Sequence, residues 1–251
     1  MVVDGSKLDG LMAGAWPPAV SEARDGWLLR FTSGVTRRAN SVLVAGEPSD
    51  LGGAISAAEA FYRDREVPPV FLVSDASAPE SVKAALESRG YKPTAQTRIF
   101  HGDAATIAGA EPLGEHFEVE VTEEPTTAWL DAYWSVESGR HQSSDRAIVR
   151  DVLLKPQASA RFVSVRNGSG VVSVGQVVID RGWGCCQCLA TLPAGRRRGA
   201  GMLVMQTLAR EVLEAGAPKV FGAVMADNSA SRGLMGRLGM SEAHQYCYYV
   251  R

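Results

Sequence analysis

The chain has 251 residues, of which 45% are hydrophobic and 22% charged, with a formal net charge of −2. That length carries the core of one large domain or two small ones, and the composition is ordinary for a soluble globular protein. Near-neutral charge without a polybasic arm gives no ground for a nucleic-acid partner. No apolar run is long enough to cross a bilayer, and "MVVDGSKLDG" has no apolar signal-peptide core. The expectation is a cytoplasmic protein without membrane contact.

Residues 1–20 read as a lead-in. "DGWLLRFTSG" and "RANSVLVAG" read as strands, with Ser33, Gly34 and Thr36 in the turn between them. "SDLGGAISAAEAFYRDRE" has a start signal and apolar residues at helical spacing, Ile55, Ala58, Phe61 and Tyr62. "VPPVFLVSD" reads as a buried strand. "APESVKAALESRGY" reads as a helix with Val82, Ala85 and Leu86 inward, and "YKPTAQTRIFHGD" as a further strand. The first half is therefore β-β-α-β-α-β. "AATIAGAEPLGEH" has no strong period and is rich in Gly, Ala and Pro. The expected boundary falls there, giving domains 1–112 and 113–251.

"FEVEVTEEP" opens the second half as a strand, and "TTAWLDAYWSVESGR" and "SSDRAIVRDVLLKP" follow as helices. Residues 160–192 read as a three-stranded meander, joined by Asn-Gly-Ser-Gly and Asp-Arg-Gly turns. A helix is expected over about residues 199–215, with Val204, Met205, Leu208, Ala209, Val212 and Leu213 on one stripe. A strand, a short helix and a last strand end the chain. The fold class is α/β with a mixed sheet. Three of the four cysteines, Cys185, Cys186 and Cys188, lie in "GWGCCQCLAT"; Cys247 is the fourth. The C-C-x-C spacing is wrong for a zinc knuckle, so they read as small hydrophobes of a buried strand and no metal is expected.

The halves end alike. "PPVFLVSDASAPESVKAALESRGY" can be laid under "APKVFGAVMADNSASRGLMGRLGM", which suggests a duplicated β-α-β-α-β unit. They differ at one place. Where the second half has Arg196, Arg197, Arg198 and Gly199, the first has Glu47, Pro48, Ser49 and Asp50. If the second binds an anion there, the first does not.

The arginines and glycines of "LPAGRRRGAG" fill a strand-to-helix turn. Helix starts leave backbone N–H groups without internal partners, at the positive end of the helix dipole, and glycine lets a ligand approach them. Such a turn suits phosphate or pyrophosphate. No G-x-x-x-x-G-K-[ST] loop is present, and the turn follows a meander rather than opening a dinucleotide-binding unit.

"LATLPAGRRRGAG" resembles the acyl-CoA motif of GNAT superfamily N-acetyltransferases, V-x-P-x-x-[RQ]-x-x-G-x-[GA]. Pro193, Arg196, Gly199 and Gly201 match in register, and Thr191 stands for the valine. "NSASRGLMGRLGM" resembles the second block, N-x-x-A-x-x-L-Y-x-x-x-G-F, through Asn228, Leu234 and Gly239. The resemblance implies a GNAT fold in the C-terminal half and a smaller, degenerate copy of β-β-α-β-α-β form before it. It implies acetyl-CoA as co-substrate. The backbone of Leu189, Ala190 and Thr191 would hold the pantetheine arm. The main-chain N–H groups of Arg196, Arg197, Arg198, Gly199, Ala200, Gly201 and Met202 would hold the diphosphate, and Asn228 would contact the arm near the thioester. The reaction implied is direct attack of an amine of a small molecule or peptide in a ternary complex.

Two departures are visible. Met235 stands where a tyrosine often protonates the leaving thiolate, and "CCQC" holds no carboxylate. Tyr246 and Tyr248, on one face of the last strand, are the candidate acids. Asp180, Glu137 and His141 are the nearby groups that could act as base, and none is singled out. Trp134 and His141 are the candidate acceptor contacts, with Trp129 nearby in core or groove wall. A non-catalytic acyl-CoA-binding module is the alternative, and a nucleotide-phosphate-binding protein of another fold is a third reading.

Overall fold

A computed structural model describes residues 3–111, 116–137, 145–155 and 158–251. Its helices are α1 (Gly5–Ala15), α2 (Leu51–Arg63), α3 (Glu80–Ser88), α4 (Ala104–Ala108), α5 (Thr127–Glu137), α6 (Asp145–Leu153), α7 (Ala200–Glu214) and α8 (Ser229–Arg237). Its strands are β1 (Val20–Arg24), β2 (Trp27–Phe31), β3 (Val42–Leu43), β4 (Phe71–Ser74), β5 (Lys92–Asp103), β6 (Glu118–Thr122), β7 (Ser159–Asn167), β8 (Gly170–Asp180), β9 (Trp183–Thr191), β10 (Lys219–Met225) and β11 (Ser241–Val250). The mixed α/β class expected from the sequence is found.

The chain forms two compact units. Unit 1 is Met1–Ile99 with Met225–Asp227 and Ala243–Arg251; unit 2 is Phe100–Val224 with Asn228–Glu242. Compactness thus does not follow a single cut near residue 112. The last strand joins unit 1 for a physical reason: Tyr246, Cys247, Tyr248 and Tyr249 pair antiparallel with Ser74, Val73, Leu72 and Phe71 of β4, and Tyr249 is buried in the core of that unit.

In unit 1, β1, β2 and β3 are antiparallel neighbours, and α2 carries the chain from β3 to the parallel β4. Ile55, Ala58, Phe61 and Tyr62 of α2 are buried, the stripe that their spacing predicts. They pack with Trp27, Leu29, Val42, Phe71 and Tyr91. Two elements lie where the sequence reads as a lead-in. Helix α1 is capped by Asp4, whose carboxylate accepts the Lys7 N–H at 3.2 Å, and it buries Leu8, Leu11, Met12 and Ala15. Strand β1 reaches β2 through Asp25 and Gly26, both left-handed with φ of 46° and 86°. An Asp-Gly pair at positive φ is a strong hairpin signal.

In unit 2 the strand order is β10-β9-β8-β7-β6. Strands β6 to β9 are antiparallel, as the turns between residues 160 and 192 predict, and α7 carries the chain from β9 to the parallel β10. Val204, Leu208 and Val212 of α7 pack with Val163, Val165 and Val177. Leu213, expected on the same stripe, is instead exposed. Helix α4 lies in the segment expected to be a linker. Its Ala104 and Ile107 are fully buried in the unit 2 core, a packing that a five-residue helix too short to show a period does not announce.

Candidate active site

Strands β9 and β10 pair only from Trp183↔Lys219 to Cys186↔Gly222, although β9 runs on to Thr191 and β10 to Met225. A bulge in β9 accounts for the parting. Gln187 faces Gln176 and Ala190 faces Val174, so Cys188 and Leu189 share one opposite residue, Gly175. Cys188 takes a left-handed φ of 56°. A bulge of this kind bends its strand. Trp129 fixes it from behind: its Nε1–H donates to the Gly175 carbonyl at 3.2 Å, and its ring stacks on Tyr133 and meets Phe162 edge-on. Leu189 of the bulge, then Ala190 and Thr191, lie where β10 no longer pairs with β9.

The turn after β9 is tightly bonded. The Leu192 N–H donates to Val172 O at 2.9 Å, Gly195 N–H to Leu192 O at 2.9 Å and Arg196 N–H to Pro193 O at 3.3 Å. Arg197 and Gly199 are left-handed, with φ of 61° and 89°. Glycine adopts the second without steric cost. No side chain caps α7 at Gly199, and the first intrahelical donor is Leu203, bonding Gly199 O at 3.0 Å. The N–H groups of Ala200, Gly201 and Met202 therefore lack helical acceptors. The donor set is narrower than residues 196–202, because Arg196 N–H is engaged. Its guanidinium folds back as well: Nε donates to Thr191 O at 3.1 Å. Arg197 and Arg198 are exposed. A side chain at Gly201 would put its Cβ 3.0 Å from Thr191 Oγ1, so the helix start lies close against the end of β9.

Asn228 is exposed and caps α8, its Oδ1 accepting the Ser231 N–H at 3.0 Å. Met235 is buried in the unit 2 core and offers no proton. Tyr246 and Tyr248 belong to unit 1, not to the unit that contains the turn. They are buried, with rings 5.5 Å apart and edge-on, and burial pushes both hydroxyls above the ordinary phenol range. Trp134 is half-buried on α5; His141 lies outside the described residues. Cys185, Cys186 and Cys188 are buried, and burial pushes the Cys186 thiol up, as befits inert core residues. Among the described residues no cluster of His, Cys, Asp and Glu could hold a metal ion, and no helix is long and apolar enough to cross a membrane.

Sequence reasoning passed over an amide pair beside the bulge. Gln187 Nε2 donates to Gln176 Oε1 at 2.8 Å. Gln176 is fully buried, and its own Nε2 has no partner. The signal was a glutamine inside the apolar run "VVSVGQVVID", a costly placement unless the amide has work to do.

Residues 6–249 match the family described as "Probable histone acetyltransferase Rv0428c C-terminal". The uncharacterized N-acetyltransferase YobR of Bacillus subtilis (strain 168) is 26% identical over 251 residues, covering 99% of each chain. A GCN5-related N-acetyltransferase from Kribbella flavida superposes over 100% of this chain and 96% of its own, with a TM-score of 0.71 at 12% identity. A tandem GNAT protein from the clavulanic acid biosynthesis pathway superposes over 79% of this chain and 68% of its own, with a TM-score of 0.63 at 11% identity. The chain belongs to the family described as probable histone acetyltransferase Rv0428c C-terminal, and it shares the fold of the GNAT structures. It is an acyltransferase, and such an enzyme needs an acceptor for the group it moves.

Proposed function

We propose that unit 2 takes up acetyl-CoA and that its acetyl group passes directly to an amine of a small molecule or peptide in a ternary complex. The observation that carries this reading is the uncapped start of α7, three main-chain donors beside the parted end of β9. The donors of Ala200, Gly201 and Met202, with the positive end of the helix dipole, suit a diphosphate. Arg197 and Arg198, exposed beside them, add field rather than geometry. The unpaired edge at Leu189, Ala190 and Thr191 suits an arm that bonds as an added strand would. Asn228 keeps its amide Nδ2 for that arm while Oδ1 caps α8.

The bound thioester supplies the activated acyl carbon. The rest falls to the chain. A main-chain N–H on the opened strand meets charge that grows on the carbonyl oxygen during attack. Trp129 keeps the bulge in register through Gly175. Gln187 occupies the strand where some members place a carboxylate; an amide orients an amine or a water but does not take its proton. The proton from the amine therefore leaves through water. Tyr246 and Tyr248, the candidate acids on the last strand, belong to unit 1, and burial makes each hold its proton more tightly.

A second reading, a non-catalytic acyl-CoA-binding module, is favoured by buried Met235 and by an amide in place of a carboxylate. Thiol release from acetyl-CoA, measured against a panel of amino acids, polyamines and peptide N-termini, separates the two. Catalysis requires amine-dependent release above the hydrolytic background. CoA binding with no release on any amine supports the module.

A further inference from the structure

Unit 1 has a second concentration of positive charge, unrelated to the turn before α7. Arg30 of β2 is buried, at 2% exposure. Its Nε–H donates to Ser41 O at 3.0 Å and its Nη2 to Ser41 Oγ at 2.8 Å, and neither acceptor carries charge. Arg37 and Arg38 stand on the loop that follows. The Arg37 guanidinium carbon lies 5.9 Å from the Tyr248 ring centre, and that of Arg38 stacks 3.9 Å over Trp16. Arg30, Arg37 and Arg38 all act electrostatically on the Tyr248 hydroxyl, and Tyr246 lies beside it. Neither Arg30 nor Arg37 makes an ion pair among the described residues. Asp9, the carboxylate that acts on Arg30, is occupied by His244 Nε2 at 2.8 Å and Ser77 Oγ at 3.2 Å.

The loop that presents Arg37 and Arg38 is built rather than loose. The Asn40 side chain accepts the N–H groups of Thr32 at 2.7 Å and Gly34 at 3.0 Å. It donates to the carbonyls of Thr32, Val35 and Thr36 at 3.2, 2.6 and 2.8 Å. Ser33 and Thr36 are held in left-handed conformations, with φ of 49° and 62°, which non-glycine residues seldom adopt. Thr36 Oγ1 also accepts Trp16 Nε1–H at 3.0 Å, fixing the ring on which Arg38 lies.

Like charges gathered together repel, and a buried guanidinium whose hydrogen bonds go to neutral oxygens is costly. The exposed Arg37 and half-buried Arg38 leave an approach from solvent. We infer that Arg30, Arg37 and Arg38, with the Tyr248 hydroxyl, form an oxyanion-binding site of unit 1 for the carboxylate or phosphate of a small molecule. Arg37 and Arg38 touch the oxyanion, and Arg30 adds its field from within.

The test is a titration with inorganic phosphate, and separately with acetate, at constant ionic strength. Backbone amide resonances of residues 33–40 report this site, and those of Ala200, Gly201 and Met202 report the turn. Saturable shifts in residues 33–40 with either probe, weakened about ten-fold or more by Arg37→Gln or Arg38→Gln and unchanged by the exposed Arg63→Gln, support the site. Which probe binds more tightly tells carboxylate from phosphate. No saturable shift of residues 33–40 with either probe, or shifts that survive both substitutions, overturns it. Shifts confined to 200–202 leave the acyl-CoA reading standing and also overturn this site.

Discussion

Asp50 Oδ1 accepts the Gly53 N–H at 2.9 Å and so caps the start of α2. At the corresponding start in unit 2, Gly199 brings no side-chain acceptor to α7. Both helices make the crossover between parallel strands, but a side chain caps only the start of the first. In unit 1 the strands also stay joined past β3, with Val44 N–H bonded to Leu72 O at 3.2 Å and Gly46 N–H to Ser77 O at 2.8 Å. Substituting Asp50→Ala removes a cap, at a cost of about 1 kcal/mol of stability. The expected result is a lower melting temperature with CoA affinity unchanged. Weakened CoA binding in this variant would mean that the wrong helix start has been assigned.

Trp129→Phe keeps most of the buried ring and removes the bond to Gly175 O. The loss is about 1–3 kcal/mol in stability, since a buried carbonyl is left without its donor. More telling is the effect on transfer: the bulge loses its anchor, so kcat is expected to fall more than CoA affinity. Steady-state kinetics beside a CoA titration distinguishes this from a loss of packing alone, which would leave kcat of the folded fraction unchanged.

Gln187→Glu restores a carboxylate to the strand at almost the same volume. Its neighbour Gln176 has an unpaired Nε2 to donate to it. The substitution is expected to raise amine-dependent release, with a rate that rises with pH as the new carboxylate ionises. Gln176→Leu should leave CoA affinity in place and lower acceptor turnover. A Gln187→Glu variant with the wild-type pH profile would show that this position does not face the reacting amine.

Stability should fall in alkali. Burial pushes the Tyr62 hydroxyl up to about 12, while the unfolded side chain ionises near its ordinary value of about 10. The folded state thus holds a proton that the unfolded state loses. The contribution is whole below about pH 10 and is lost as pH rises toward 12, at about 1.4 kcal/mol per pH unit for one group. Tyr91, Tyr246 and Tyr248 are shifted in the same direction. Urea midpoints are expected to be flat up to about pH 10 and to decline above it. Tyr62→Phe, which loses the bond to Arg30 O at 2.8 Å, should start lower and decline less steeply. An equally steep decline would remove Tyr62 from the account.

Much of this was legible in the residues. The stripe Ile55, Ala58, Phe61 and Tyr62, the meander turns, and Pro193, Arg196, Gly199 and Gly201 in register all carry local signals that tertiary structure left in place. What was not legible falls into two kinds. Three glycines hid α1, whose helix depends on burying Leu8, Leu11 and Met12 rather than on intrinsic propensity. Long-range pairing hid the rest. Nothing local tells β11 to lie beside β4, and only the β8–β9 register reveals that Cys188 and Leu189 form a bulge. Nor does the motif show that Arg196 Nε bonds Thr191 O.

The central claim rests on three main-chain donors at the start of α7, and calorimetry with CoA on the wild type and on Gly201→Val tests it most directly. The new side chain stands over those donors and against Thr191 Oγ1. Saturable binding to the wild type, weakened ten-fold or more in a Gly201→Val protein that still unfolds cooperatively, is the expected result (about 1.4 kcal/mol of binding free energy). No binding to the wild type, or equal affinity in both proteins, would contradict it.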